Sequence, residues 1–214
     1  MRASIWLGSS LFLLLLPYLA WSNLAFDKID KQGIVDTYGA KALQRIERWQ
    51  SLLSDLNNEA EDEKLQSVND FFNKLDFVDD KTLWGKEDYW ATPIEFLSSN
   101  AGDCEDFTIA KYFTLVELGV DKSKLRLMYV TATKPPQAHM VLAYYESKDA
   151  IPLVLDNLNK RILPANRRSD LIPIYSFNGD GLWLAKAQGR GRQMQGKGNN
   201  SLWLDLNERM KSGF

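Results

Sequence analysis

The chain has one cysteine, Cys104, and one histidine, His139, in 214 residues. A single cysteine excludes an internal disulfide. The formal net charge is only -2, which disfavours nucleic acid or an anionic membrane as the main partner. Beyond the N-terminal stretch no segment is apolar enough to cross a bilayer. There is no internal repeat and no EF-hand loop. What remains is an ordinary globular balance, 45% hydrophobic and 25% charged. The length suits one sizeable core, or one core with two lobes.

The N-terminal stretch reads "MRASIWLGSSLFLLLLPYLAWSNLAF". Arg2 supplies a positive start, Leu11 to Leu16 an apolar run, and Ala20, Ser22 and Ala25 small residues where a signal peptidase cuts. Residues 1–25 are therefore expected to be a signal peptide, with 26–214 a single exported domain. An uncleaved anchor is the competing reading, and Pro17 and the shortness of the run argue against it. Exported domains use cysteines in pairs. A leftover cysteine points to a reactive thiol or an intermolecular bridge.

Apolar residues at Ile46, Trp49, Leu53 and Leu56 recur at three and four, predicting a helix over 36–56. The acidic run at 57–64 reads as a loop or a solvated helix start. Leu65, Val68, Phe72 and Leu75 give a second helix by the same period. Residues 93–97 predict a short helix capped by Thr92, with Glu95 three residues on. "CEDFTIAKYFTLVELGV" predicts a third, buried helix, with Asp103 as cap and Gly119 as stop. Three strand-like runs follow, "KLRLMYVTAT", "AHMVLAYYE" and "IPLVLDNL". The segment after them reads as further strands and turns, and residues 201–214 as a helix or a strand. The Gly-rich stretch 189–200 is polar and has no assigned role. Helices first, then an antiparallel sheet, is an α+β plan.

A cysteine nucleophile needs a base, and the base needs a third group to fix its tautomer. His139 opens one strand run and Asp156 closes the next. If Glu146 to Asp149 is the hairpin loop, Tyr145 pairs with Ala150 and His139 falls opposite Asp156, on one face. Cys104 starts the buried helix, where the helix dipole lowers a thiol pKa and free N–H groups can hold an oxyanion. Singly, each residue is more often structural: a small buried Cys, a satisfied core His, a capping Asp. Their combination favours catalysis.

Asp103, Glu105 and Asp106 surround Cys104, and carboxylates beside a thiol hold its proton on. Two readings stay open. The acids stabilise the helix N-terminus, by about 0.3–1 kcal/mol each, or they ligate a hard cation such as calcium, which would cancel their effect on the thiol.

"GDCEDF", "AHMVL" and "LVLDN", preceded by "YWATPIEFL", resemble the bacterial transglutaminase-like cysteine proteinases, in particular their periplasmic adhesin proteases. The resemblance spans roughly residues 35–185. It implies a transglutaminase-like fold of the papain-like group, with a nucleophile helix packed on an antiparallel sheet. It implies Cys104 as nucleophile, His139 as base and Asp156 as orienting group. It further implies calcium dependence, with Asp103, Glu105 and, less directly, Asp106 as ligands. The implied substrate is the N-terminal region of a large surface adhesin, whose release disperses biofilm. The implied regulator is the periplasmic domain of an inner-membrane cyclic di-GMP receptor. The same triad also serves acyl transfer, as in a transglutaminase or an amidase acting on cell-wall peptides. A non-catalytic binding module with an inert Cys104 is the third possibility.

Overall fold

A computed structural model of the chain describes residues 29–179, 181–184 and 201–212. The expected signal peptide and the Gly-rich stretch lie outside these residues. Among them, no helix is long and apolar enough to cross a membrane.

Seven helices and eight strands are described: α1 (Lys31–Tyr38), α2 (Ala40–Leu56), α3 (Glu61–Phe72), β1 (Asp76–Phe77), α4 (Asp80–Leu83), α5 (Pro93–Ser99), β2 (Ala101–Gly102), α6 (Cys104–Glu117), β3 (Leu125–Thr133), β4 (Pro136–Tyr144), β5 (Leu153–Leu155), β6 (Leu163–Pro164), β7 (Leu171–Asn178), β8 (Gly181–Leu184) and α7 (Ser201–Ser212). Six strands form one antiparallel sheet in the order β6-β5-β4-β3-β7-β8. The helices precede the sheet in sequence except α7, so the α+β expectation holds.

Several helix boundaries differ from the periodicity. The helix expected over 36–56 is two helices, broken at Gly39, whose φ of 82° is a left-handed value that favours glycine. The acidic run 57–64 is turn over 57–60 and helix start from Glu61, as expected: Glu61, Asp62 and Glu63 form the first turn of α3, where the helix dipole favours negative charge. Leu75 lies beyond the end of α3. The Thr92 cap is as expected, with Glu95 closing a capping box.

Helix α6 is the centre of the molecule. Phe107, Ile109, Ala110, Phe113 and Leu115 are buried around most of its circumference. They meet Trp49 of α2, Leu65, Val68 and Phe72 of α3, Phe96 of α5, and the sheet face carrying Leu127, Met140, Leu142 and Leu155. The helix is cased by protein on nearly every side, which fixes the position of its first residue, Cys104. Its N-terminus is set by two short parallel pairings, Asp76↔Ala101 and Phe77↔Gly102.

Candidate active site

Cys104 is the first residue of α6 and is partly buried. Asp106, three residues after the cap Asp103, reaches back to accept the Asp103 N–H at 3.2 Å and also takes the Ala91 N–H at 2.7 Å. Gly102 permits this. A Cβ there would lie 2.3 Å from Asp106 Oδ2 and 2.8 Å from a Phe96 ring carbon. Asp106 Oδ2 therefore occupies the space that a side chain at 102 would need.

The helix is pinned to β4 at its active end. The Thr108 hydroxyl lies 2.8 Å from the Cys104 carbonyl oxygen and 3.1 Å from that of Met140. The residue preceding Met140 on β4 is His139. It is buried, and its Nε2 lies 2.8 Å from Asp156 Oδ1. Asp156 follows directly after β5. The pairing expected from a four-residue loop is off by two: Leu142 faces Leu155, and Tyr144 faces Leu153. The connection between β4 and β5 runs from Tyr145 to Pro152. A slip of two keeps every side chain on its face, so His139 and Asp156 meet as diagonal rather than direct partners. His139 is also the fourth residue of β4 rather than its first.

Asp156 is fully enclosed. Burial alone would raise its carboxyl, but the His139 hydrogen bond and charge, Arg168, and the Leu158 N–H at 2.9 Å bring it down to about 2. Arg168 donates from Nη2 to Asp156 Oδ2 at 2.6 Å. Arg168 carried no signal in the sequence, because its contact with Asp156 depends on the loop between β6 and β7.

Around the thiol the electrostatics are adverse. Cys104 Sγ donates to Glu105 Oε2 at 3.1 Å. Burial, then the charge and hydrogen bond of Glu105, push the thiol far above its ordinary value. Burial and Glu105 raise Asp103 to about 9. Burial, with Asp103 and Asp88 nearby, raises Asp80 to about 6 despite the Tyr89 N–H bonded to it at 2.5 Å. Glu105 and Asp106 are raised too, chiefly by burial.

These acids form a compact donor set. Asp103 and Glu105 gather with Cys104, Asp80 with Asp103 and Asp106, and Asp80 with Asp88 and Glu105, each trio with ligand atoms within 4.8 Å of one another. Two buried oxygens of the set, Asp80 Oδ1 and Asp103 Oδ1, have no hydrogen-bond partner. Carboxylates converging from three segments, two of them with an orphaned oxygen, fit a hard cation with oxygen ligands. Of the three acids expected from the sequence, Asp103 gathers with Glu105 in one trio and with Asp106 in another. Both Asp106 oxygens already accept N–H groups. Asp80 and Asp88 join from 24 and 16 residues before Cys104, and local sequence did not mark them.

Residues 45–185 match the family described as bacterial transglutaminase-like cysteine proteinase. The chain belongs to this family. The proteinase has the transglutaminase-like fold, and solved structures of Legionella pneumophila LapG resemble it closely. An EGTA-treated form aligns with a TM-score of 0.74 at 40% identity, covering 84% of this chain and 95% of that one. A calcium-bound form aligns with a TM-score of 0.73 at 40% identity, covering 84% and 97%. No curated protein matches the proteinase.

Proposed function

We propose that the protein is a calcium-dependent periplasmic cysteine endopeptidase that cuts the N-terminal region of a large cell-surface adhesin. Cys104 is the nucleophile, His139 the base and Asp156 the group that orients His139. The observation that carries this reading is the buried His139–Asp156 pair at 2.8 Å, on the strand to which Thr108 ties the Cys104 end of α6. Release of the adhesin and biofilm dispersal, with restraint by a cyclic di-GMP receptor, are the biological reading drawn from the family resemblance.

The chemistry follows from the positions. Asp156 holds Nε2 of His139, so Nδ1 is the nitrogen left to take the thiol proton. The Cys104 thiolate attacks the scissile carbonyl carbon, and a C–S bond forms as the carbonyl π pair moves to oxygen. The backbone N–H groups of the first turn of α6, which lack intrahelical partners, face that oxyanion. His139 then gives its proton to the leaving amine, leaving an acyl-enzyme. Water, deprotonated by His139, releases the acid and restores the thiol.

Glu105 opposes the first step, because it accepts the thiol proton's hydrogen bond and adds negative charge. Asp103, Glu105, Asp80 and Asp88 would hold calcium, the cation bound in one of the Legionella structures. Bound there, it supplies positive charge that offsets the carboxylates beside the thiol.

Cleavage of a purified adhesin N-terminal fragment tests this. Wild type should give a discrete cut that EGTA stops and added calcium restores, while Cys104→Ala should give none. Cutting by Cys104→Ala would remove the nucleophile. Transfer of an amine with no hydrolytic cut would move the site to acyl transfer.

A further inference from the structure

Arg168 lies behind Asp156 and takes no part in the steps above. It is 4% exposed. Its guanidinium is gripped along one edge by Asp170, with Nε donating to Oδ1 at 2.9 Å and Nη2 to Oδ2 at 2.7 Å. Nη2 also reaches Asp156 Oδ2 at 2.6 Å. Asp170 is itself anchored, because its carbonyl accepts the Thr133 N–H at 2.9 Å and the Thr133 hydroxyl at 3.2 Å from the end of β3. The arginine is thus a rigid brace between the sheet and the carboxylate.

Asp156 is held on all sides. Oδ1 takes the Leu158 N–H and faces His139, Oδ2 takes Arg168, and its carbonyl accepts Asn73 Nδ2 at 2.9 Å. An ionised carboxylate with no exposure is costly unless a cation compensates it. Lys111 of α6 faces the same region, but its ammonium is bonded to Asn73 Oδ1 at 2.8 Å, and burial pushes it down to about 7. It is only partly charged near neutral pH. Arg168 stays charged under all working conditions, and its planar fork fixes direction as well as charge.

We propose that Arg168 is a positioning residue of the active site. It keeps Asp156 ionised and aimed at His139, so that the imidazole carries its proton on Nε2 and leaves Nδ1 for the Cys104 thiol. The proposal rests on the reading of Cys104, His139 and Asp156 as the catalytic group. Without Arg168, the carboxyl takes up a proton or turns away, and the tautomer of His139 is no longer fixed.

His139 is the only histidine, so the imidazole 15N spectrum of the full chain reports it alone. Arg168→Met should change that spectrum from one protonated at Nε2 to a mixture of tautomers. It should also lower kcat on the adhesin fragment by about 10- to 100-fold, as removal of an imidazole's outer partner does elsewhere, with KM nearly constant. Arg168→Lys should recover part of both. If Arg168→Met does not fold, Asp170→Asn loosens the same brace from a side chain that is 42% exposed, and should shift the spectrum in the same direction. An unchanged spectrum in whichever variant folds would overturn the proposal, as would Arg168→Lys being as damaged as Arg168→Met. The spectrum needs no substrate. A wild type that cuts no adhesin would sink the proteolytic reading while the spectrum still decides the role of Arg168.

Discussion

Asp156 stands between an imidazole and a guanidinium, and its carboxyl is held near 2 against an ordinary 3.8. A depressed carboxylate stabilises the folded state above its unfolded pKa, and that stability is lost as pH falls through the folded value. The share from Asp156 should be complete above about pH 4 and gone near pH 2, roughly 2 kcal/mol in all. Urea unfolding of wild type and Asp156→Asn across that window should show the two curves converging as pH falls; parallel curves would refute the assignment. Asp156→Ala should also destabilise near neutral pH, by about 1–3 kcal/mol, because it leaves buried donors of His139 and Arg168 without their acceptor while Asp170 keeps Arg168 paired. The meeting of His139 with Asp156 was legible in sequence because this chain has one His and one Cys, and the strand pattern put that His and an Asp on one sheet face. Arg168 was not, because nothing in "NRRSD" says which arginine turns inward.

Helix α6 begins where Asp103 and Glu105 crowd one thiol, with Asp80, Asp88 and Asp106 gathered next to them, and that crowding sets its pH behaviour. Asp103 is raised to about 9, so the folded protein without a cation binds a proton that the unfolded chain releases above about 4. Stability without calcium should therefore fall as pH rises between those values. Calcium competes with the proton, so it should raise Tm more at pH 8 than at pH 5, as read by differential scanning calorimetry. An equal gain at both would mean that Asp103 is not a ligand. Gly102→Ala should cost about 1–3 kcal/mol, the scale of overpacking, because the new Cβ must displace Asp106 or Phe96. Chemical denaturation giving a loss under 0.5 kcal/mol, a surface-like effect, would show that the turn yields freely. The acids next to Cys104 were visible in sequence, whereas Asp80 and Asp88 were not. They arrive through the β1–β2 pairing, two residues on each side, too short to leave a periodic trace. The β4–β5 register was misread by two for a related reason: a loop from Tyr145 to Pro152 contains no sharp turn signal to fix its length.

Across the whole molecule, the sheet, α6 and the C-terminal helix hold the site together. Helix α7 packs Trp203 against Phe113 and Phe177 and buries Leu206 and Met210. Its Arg209 donates to Glu95 at 2.5 Å and to the Trp90 carbonyl at 2.6 Å, which ties α7 to the segment following Asp88. Leu206→Ala should cost about 2–5 kcal/mol, measured as a shift of the urea midpoint at constant slope. The order of α2, α3, α5 and α6 and of β3, β4 and β5 was readable from sequence pattern, and so was the burial of α6, whereas β1, α4 and β2 were not. The helical state of α7 was not, since "SLWLDLNERM" suits either period until its partners are known. The molecule's central feature is that acids from α4, the 84–92 segment and the start of α6 gather next to the single thiol; on the proposed reading, a cation bound among them decides whether it reacts. The rate of iodoacetamide labelling at pH 7.5 measures this directly, because Cys104 is the only cysteine. With calcium the thiol should label fast, and with EGTA it should label at least about tenfold more slowly. The same slow rate with and without calcium, in protein that calorimetry shows to be loaded, would contradict a thiol switched on by the cation.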